Sequence, residues 1–304
     1  MLIYTLLLSG VTTFLIGVLP EYATINIWAP IALLVLRFAQ GFAVGDEWGG
    51  AVLMAVERAP KESRGYDASW PLLGVPVGLF LSSVVFLPIP PPQAGQALGW
   101  AWRVPFLLSI VLVAVGIFIR RAIINSRVFI ELTEKFKVPL LDTFRRHRRE
   151  ALLAIGAKIG ENGVFYFYTT FARLLARKYT TYTDAPLPRN TLFSATMLAA
   201  VLLMLTIPVF ATLLDHVGRR RVYLMGAIFA GLLAFRSLWM IKTALLPLVM
   251  VAVVCALALG WAAMYAPQAS FFPELFGTGV RYSGALLGGQ FATIFVGGWG
   301  PSLP

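Results

Sequence analysis

Two ionisable residues stand three apart inside an apolar stretch, Lys158 and Glu161 in GAKIGENGVFYFYTT (Gly156–Thr170). At that spacing they face the same side of a helix and can pair. A second concentration lies in Leu36–Gly65, where Arg37, Asp46 and Glu47 interrupt an otherwise apolar run. An ionisable group at bilayer depth costs about 2.5–3.5 kcal/mol on insertion scales, so each needs a partner or water. Gly41, Gly45, Gly49 and Gly50 recur near a spacing of four, which lets another helix approach closely. A glycine face beside buried charge is expected to wall a polar path through a bundle. Arg37 has the alternative of snorkelling to the membrane surface. Lys158–Glu161 has the alternative of a structural ion pair that contacts no substrate.

The elements that hold these residues follow from composition. The chain has 304 residues, 59% hydrophobic and 13% charged, with a mean hydropathy of +0.79. A soluble domain carries about 25% charged residues. The fold class is therefore all-α integral membrane. A span needs about 20 mostly apolar residues. Such stretches run over residues 1–20, 27–56, 68–90, 103–123, 151–172, 192–214, 222–241 and 245–270, and a ninth begins near Ser283. The first lacks a small-residue cleavage site, so it is not read as a secretory signal peptide. The proline run Pro88, Pro90, Pro91 and Pro92 is expected to end the third stretch.

The net charge of +11 is explained by topology rather than by nucleic acid. Four gaps, 57–65, 119–150, 215–221 and 273–283, hold 16 of the 25 Lys and Arg residues. The positive-inside rule makes these gaps cytoplasmic and places the N-terminus inside. The longest basic gap reads as a linker. The expected organisation is a bundle of four helices over 1–123, a cytoplasmic linker over 124–150, and a second bundle over 151–304. Ile123–Phe136 has some amphipathic pattern and is expected on the membrane surface. The single Cys255 excludes an intramolecular disulfide, and His147 and His216 match no metal-ligand spacing. No hydrolase elbow, zinc-protease motif or phosphate loop is present. Neither an enzyme nor a cofactor is expected.

Leu36–Gly65 resembles the fourth helix of the major facilitator superfamily, in its metabolite:proton symporter branch. Arg37, Gln40, Gly41, Gly45, Glu47, Gly50, Ala51, Glu57, Ala59, Pro60, Arg64 and Gly65 carry the resemblance; Asp46 stands where that pattern has glycine. Ser69, Gly74, Pro76 and Gly78 resemble the fifth-helix pattern, with Leu72 replacing a glutamine. Trp102, Arg103, Pro105 and Phe106 resemble the opening of the sixth, and Asn125–Phe129 keeps only part of the motif that follows it. Glu161, Asn162, Phe165 and Tyr166 fit the seventh, with Lys158 where arginine is usual. LLDHVGRRR (Leu213–Arg221) is similar to the second copy of the cytoplasmic signature. YAPQASFFPELFGTGVRYSG (Tyr265–Gly284) resembles the tenth helix and is the most specific match.

The resemblance implies major facilitator type helical bundles, with about nine helices of a family twelve, the third to the eleventh. It implies proton-coupled symport of a small organic metabolite, a carboxylate or zwitterion, by alternating access in a cytoplasmic (inner) membrane. The partners are then that metabolite, the proton and the lipid bilayer, with no nucleic acid. Glu47 or Glu161 would carry the proton. Lys158 or Arg37 would meet substrate charge, with Asn162 and Tyr166 as hydrogen-bonding partners, and Gln40 and Gln268 join them as substrate-binding or proton-coupling candidates. Asp215, Gly218, Arg219, Glu274 and Arg281 would form a cytoplasmic latch, Glu274 pairing with Arg281; the alternative is three arginines holding a loop inside. Pro267 would break its helix and free carbonyls that the bundle must satisfy. The alternative function is a truncated, transport-inactive membrane protein, because one wall of the family's cavity comes from a helix before the third.

Overall fold

The computed structural model describes residues 2–60, 62–87, 100–123, 147–171, 189–243 and 245–276. Among these residues there is no strand, as an apolar chain of this composition dictates: in lipid, helices satisfy every backbone group internally. The side chains of Asp46 and Glu47, the proline run, most of the basic linker, Arg281 and the ninth stretch lie outside the described residues.

The helices are α1 (Leu2–Val18), α2 (Trp28–Arg58), α3 (Arg64–Phe86), α4 (Ser109–Ile123), α5 (Arg148–Tyr166), α6 (Arg189–Val217), α7 (Arg219–Lys242), α8 (Leu246–Cys255) and α9 (Gln268–Leu275). One helical turn, Tyr22–Ile25, joins α1 to α2, and a 3-10 turn, Trp100–Arg103, leads towards α4. Helix α3 starts at Arg64, four residues before the apolar run alone suggests. Among the described residues, four helical stretches are long and apolar enough to cross a membrane: Arg64–Phe86, Phe193–Val217, Arg219–Lys242 and Leu246–Phe272. Helix α5 is not among them because Arg148, Arg149, Glu150, Lys158 and Glu161 lower its hydropathy.

The chain divides into two compact units. The first comprises Met1–Gly50 and Val85–Lys137. Within it α1 packs on α4 and on the turn Val104–Leu107 that precedes it. Gly10 and Gly17 permit that closeness: a Cβ on Gly10 would lie 1.8 Å from Val113, and one on Gly17 would lie 2.8 Å from Phe106. Arg103 is buried and fixes the end of α1, donating to Glu21 at 3.1 Å and to the Leu19 carbonyl at 3.2 Å. It also lies over the Trp102 ring at 4.5 Å.

The second unit comprises Ala51–Val84 and Val138–Pro304. On α6, Ala195, Ala199, Leu203, Ile207, Ala211 and Leu214 are all buried. They recur at intervals of three or four residues, which places them on one stripe of the helix. That stripe packs on α3 and α8. Helix α8 continues through a π-helical stretch, Ala256–Trp261, and an α-helical turn, Ala262–Tyr265. From Ala262 to Ser270 every residue is buried. The alanines here let neighbouring helices approach closely. Helix α5 also passes into a π-helical segment, Phe167–Phe171.

Pro267 breaks the hydrogen-bond ladder but not the path. Ala266 keeps helical dihedrals (φ −55°, ψ −43°), as does Pro267 (φ −66°, ψ −25°). The Pro267 carbonyl accepts from Phe271 at 2.8 Å and Ser270 at 3.2 Å, starting α9.

Candidate functional site

The second unit buries an ionic cluster where α5 meets the end of α8 and the start of α9. Lys158, Glu161 and Phe165 lie along one face of α5, at spacings of three and four. Trp261, Tyr265 and Gln268 lie along one face of the α8–α9 run, at spacings of four and three. The two faces meet. Lys158 Nζ stands 2.7 Å from Glu161 Oε2 and donates to Gln268 Oε1 at 3.0 Å. Gln268 Nε2 donates to Glu161 Oε2 at 3.2 Å. The indole Nε1 of Trp261 donates to Glu161 Oε1. Lys158 also lies over the Tyr265 ring, 5.2 Å from its centroid.

Aromatic packing holds the second face rigid. Trp261 and Tyr265 stack at 4.3 Å, and Phe165 from α5 meets Trp261 at 4.9 Å. Exposure is 9% at Lys158, 1% at Glu161 and 0% at Gln268. Removing one partner of a buried ion pair leaves an uncompensated charge, a cost of about 3–5 kcal/mol. The cluster is therefore tightly held, and any change in its occupancy is energetically large.

Asn162 is buried beside Glu161 on α5. Tyr166, one turn further, is half-buried and meets Phe165 at 5.8 Å. Arg37 and Gln40 belong to the first unit. There Arg37 Nη1 donates to Gln40 Oε1 at 3.1 Å, and Gln40 Nε2 donates to Thr13 Oγ1 at 2.8 Å. The backbone at Glu47 is helical within α2.

Sequence reasoning did not single out Trp261 or Tyr265 as site residues. A buried indole N–H needs an acceptor, and Trp261, Tyr265 and Gln268 share one helical face. Those two facts were available. The π-helical stretch that ends at Trp261 was not. Such insertions are rare and recur at functional sites.

A second constellation surrounds the start of α3. The first amides of a helix lack intrahelical partners. Here the Asp215 carboxylate, from the end of α6, accepts from Gly65 N at 2.9 Å and Tyr66 N at 3.1 Å. The local N-cap residue, Ser63, turns its hydroxyl to Asp67 instead, at 2.9 Å. Gly65 is obligatory for this approach. A Cβ there would lie 2.3 Å from Leu214 Cδ1, 2.6 Å from Asp215 Oδ1 and 2.9 Å from the Ala211 carbonyl oxygen.

Gly218 makes the turn from α6 to α7 at φ +99°, a conformation that suits glycine. Arg219, the first residue of α7, pairs with Glu274 of α9. Glu274 thus has a partner other than the expected Arg281. The cluster joins the ends of α3, α6, α7 and α9 through one carboxylate cap and one ion pair.

The sequence matches the Major Facilitator Superfamily over residues 1–299. It is similar to the shikimate transporter of Escherichia coli, 37% identical over 307 residues, covering 99% of this chain and 69% of the relative. It is 34% identical over 307 residues to an inner membrane metabolite transport protein of Escherichia coli, covering 96% of this chain and 67% of the relative. It is 30% identical over 312 residues to the proline/betaine transporter of Salmonella typhimurium, covering 98% of this chain and 61% of the relative.

Proposed function

The chain belongs to the major facilitator superfamily and is a multi-pass membrane transport protein rather than an enzyme; from this we propose that it carries a small organic carboxylate together with a proton. The observation that supports this reading is the buried Lys158–Glu161–Gln268 cluster. Ionisable groups at membrane depth mark substrate and proton pathways. The ammonium of Lys158 is a point charge suited to a carboxylate. Glu161 is the carboxylate that pairs with that ammonium, 2.7 Å away. Asn162 and Tyr166 extend the same helix face as hydrogen-bonding groups. Glu47 on α2 and the Arg37–Gln40 pair are a second polar set, in the first unit. The relatives include a shikimate transporter and a proline/betaine transporter. Shikimate is the better probe, because its charge is a lone carboxylate.

The mechanism is alternating access by rocking of two bundles, 1–123 and 151–304, joined by the 124–150 linker. The charge of the loops supports a cytoplasmic N-terminus. Asp215, Gly218, Arg219 and Glu274 then sit at the cytoplasmic end. Asp215 caps α3, which the 1–123 division assigns to the first bundle although its start shares a compact unit with α6. That contact holds one access state and releases in the other. Arg281, seven residues after Glu274 in the sequence, is assigned to the same latch. The inner membrane is the location that fits this topology.

The test is uptake of radiolabelled shikimate into proteoliposomes under an inward proton gradient. The expected result is accumulation that a protonophore abolishes. Lys158→Ala is expected to reduce shikimate uptake at least tenfold while leaving a neutral sugar unaffected. Equal uptake by the variant and the wild type refutes the assignment of Lys158.

A further inference from the structure

Arg236 takes part in neither the buried cluster nor the cap on α3. It stands near the end of α7, in LAFRSLWMIK, with apolar residues on both sides. Helix α7 has two faces. Val222, Gly226, Ala230, Ser237 and Ile241 are buried. That face packs on the α8 run, where a Cβ on Gly226 would lie 2.8 Å from the Ala263 Cβ. Met225, Ile228, Leu232, Phe235 and Trp239 are exposed. They recur at intervals of three and four, so they form one stripe. Arg236 is also exposed. It comes four residues after Leu232 and three before Trp239, which places it in the same stripe.

An exposed apolar stripe on a membrane-spanning helix meets acyl chains. An arginine in such a stripe needs an anion or water. Neither α7 nor α8 contains Asp or Glu. Among the described residues Arg236 has no hydrogen-bond or ion-pair partner. Its depth suggests where an anion comes from. Arg219 and Arg236 are 17 positions apart, about 25 Å on a helix that rises 1.5 Å per residue. The hydrocarbon core is about 30 Å thick. With Arg219 at one surface, Arg236 stands just inside the other, and its long stem carries the guanidinium to the level of the lipid phosphates.

A groove is present at that level. It has a volume of about 470 Å³ and runs between α7 and α8, lined by Phe235, Arg236, Trp239, Met240 and Leu248. Sites for small molecules span about 300–1,000 Å³. Tryptophan is the residue type that settles at headgroup depth, and the guanidinium is the only charge in the lining.

We propose that this groove binds an anionic phospholipid, its phosphate on Arg236 and an acyl chain along the stripe. A guanidinium offers two parallel N–H donors to a phosphate. A headgroup with net negative charge leaves that pair uncontested, whereas a zwitterionic headgroup brings an ammonium that competes for the same phosphate. The stripe fits the chain in length. Half the hydrocarbon core is about 15 Å, or about ten residues of helix, and Leu232, Ile228 and Met225 cover that distance below Arg236. A second copy of this chain fits less well, because a two-fold contact centred on the stripe sets Arg236 close to its own copy. On the topology proposed above, the lipid belongs to the leaflet facing away from the cytoplasm. The site stands apart from the Lys158–Glu161–Gln268 cluster and does not depend on which solute is carried.

The test is quenching of Trp239 fluorescence in nanodiscs by lipids brominated on the acyl chain near the headgroup. The chain has eight tryptophans, so the Trp239 signal is the difference between a protein and its Trp239→Phe partner. The probes are brominated phosphatidylglycerol and brominated phosphatidylcholine, each titrated into unbrominated phosphatidylcholine. In wild type, half-quenching is expected at about fivefold less phosphatidylglycerol than phosphatidylcholine. In Arg236→Gln the two lipids are expected to quench alike, and Arg236→Lys is expected to keep a preference through its charge. Equal quenching by both lipids in wild type overturns the proposal, and this comparison needs no arginine variant to fold. A preference that survives in Arg236→Gln overturns the assignment to Arg236. A Trp239 that neither lipid quenches means that protein covers the groove, and that result overturns the proposal as well.

Discussion

Asp215→Asn tests the cap on α3 most directly. The carboxylate accepts two backbone N–H bonds, at 2.9 Å from Gly65 and 3.1 Å from Tyr66. Asparagine keeps one acceptor oxygen and loses the charge. Hydrogen bonds to a charged group contribute about 1.5–3 kcal/mol against about 0.5–1.5 for neutral ones. A negative charge at a helix N-terminus adds about 0.3–1 kcal/mol. The difference is about 1.5 kcal/mol, or roughly tenfold in the local opening equilibrium. Hydrogen–deuterium exchange of the 62–70 segment in nanodiscs reads that equilibrium, because the two amides exchange only when uncapped. The expected result is about tenfold faster exchange at Gly65 and Tyr66 in Asp215→Asn, and more in Asp215→Ala. Ser63→Ala is the internal control, since its hydroxyl goes to Asp67 and not to these amides. Exchange in Asp215→Asn within about twofold of wild type, or Ser63→Ala matching it, refutes the assignment of the cap to Asp215.

Gly65→Ala forces a Cβ to within 2.3 Å of Leu214 Cδ1 and is expected to cost about 1–3 kcal/mol, read as a lower melting temperature. Gly74→Ala, where a Cβ would meet nothing within 4 Å, should not lower it. Trp261→Phe keeps the ring stack with Tyr265 and Phe165 but removes a donor from Glu161, a loss of about 1–3 kcal/mol in thermal unfolding. An unchanged melting temperature would mean that the indole N–H contributes nothing to holding Glu161. Arg103→Ala removes the bonds to Glu21 and the Leu19 carbonyl. With Glu21 half-exposed, the expected cost is about 1–2 kcal/mol, with hydrogen exchange over 148–171 unaltered.

The legible part of the molecule was what periodicity and local spacing control. Eight helical stretches fell near the apolar runs. The Lys158–Glu161 pair followed from a spacing of three. Gly218 was readable as a turn because a tight connection between helices calls for glycine. What the sequence hid is non-local. Local rules assign the cap of α3 to Ser63, but the structure gives it to Asp215, and no pattern along the chain joins those two positions. Proximity in the sequence pairs Glu274 with Arg281, but the crossing of α7 and α9 brings it Arg219. The Trp261 contact depends on a π-helical register that ALALGW does not announce.

The cap on α3 also bears on how the protein is made. Gly65 and Asp215 are separated by 150 residues. At a synthesis rate of about 5–20 residues per second, the start of α3 waits roughly 8–30 s before its capping carboxylate exists. During that interval two amides at the membrane surface must borrow water or lipid headgroup oxygens. The third helix is thus inserted early and finished late. Its completion reports that α6 has been synthesised, inserted in the right orientation, and delivered to the correct neighbour. A nascent chain stalled before Asp215 leaves this end of α3 open, and the open end is a concrete feature by which membrane quality control could tell an unfinished chain from a finished one.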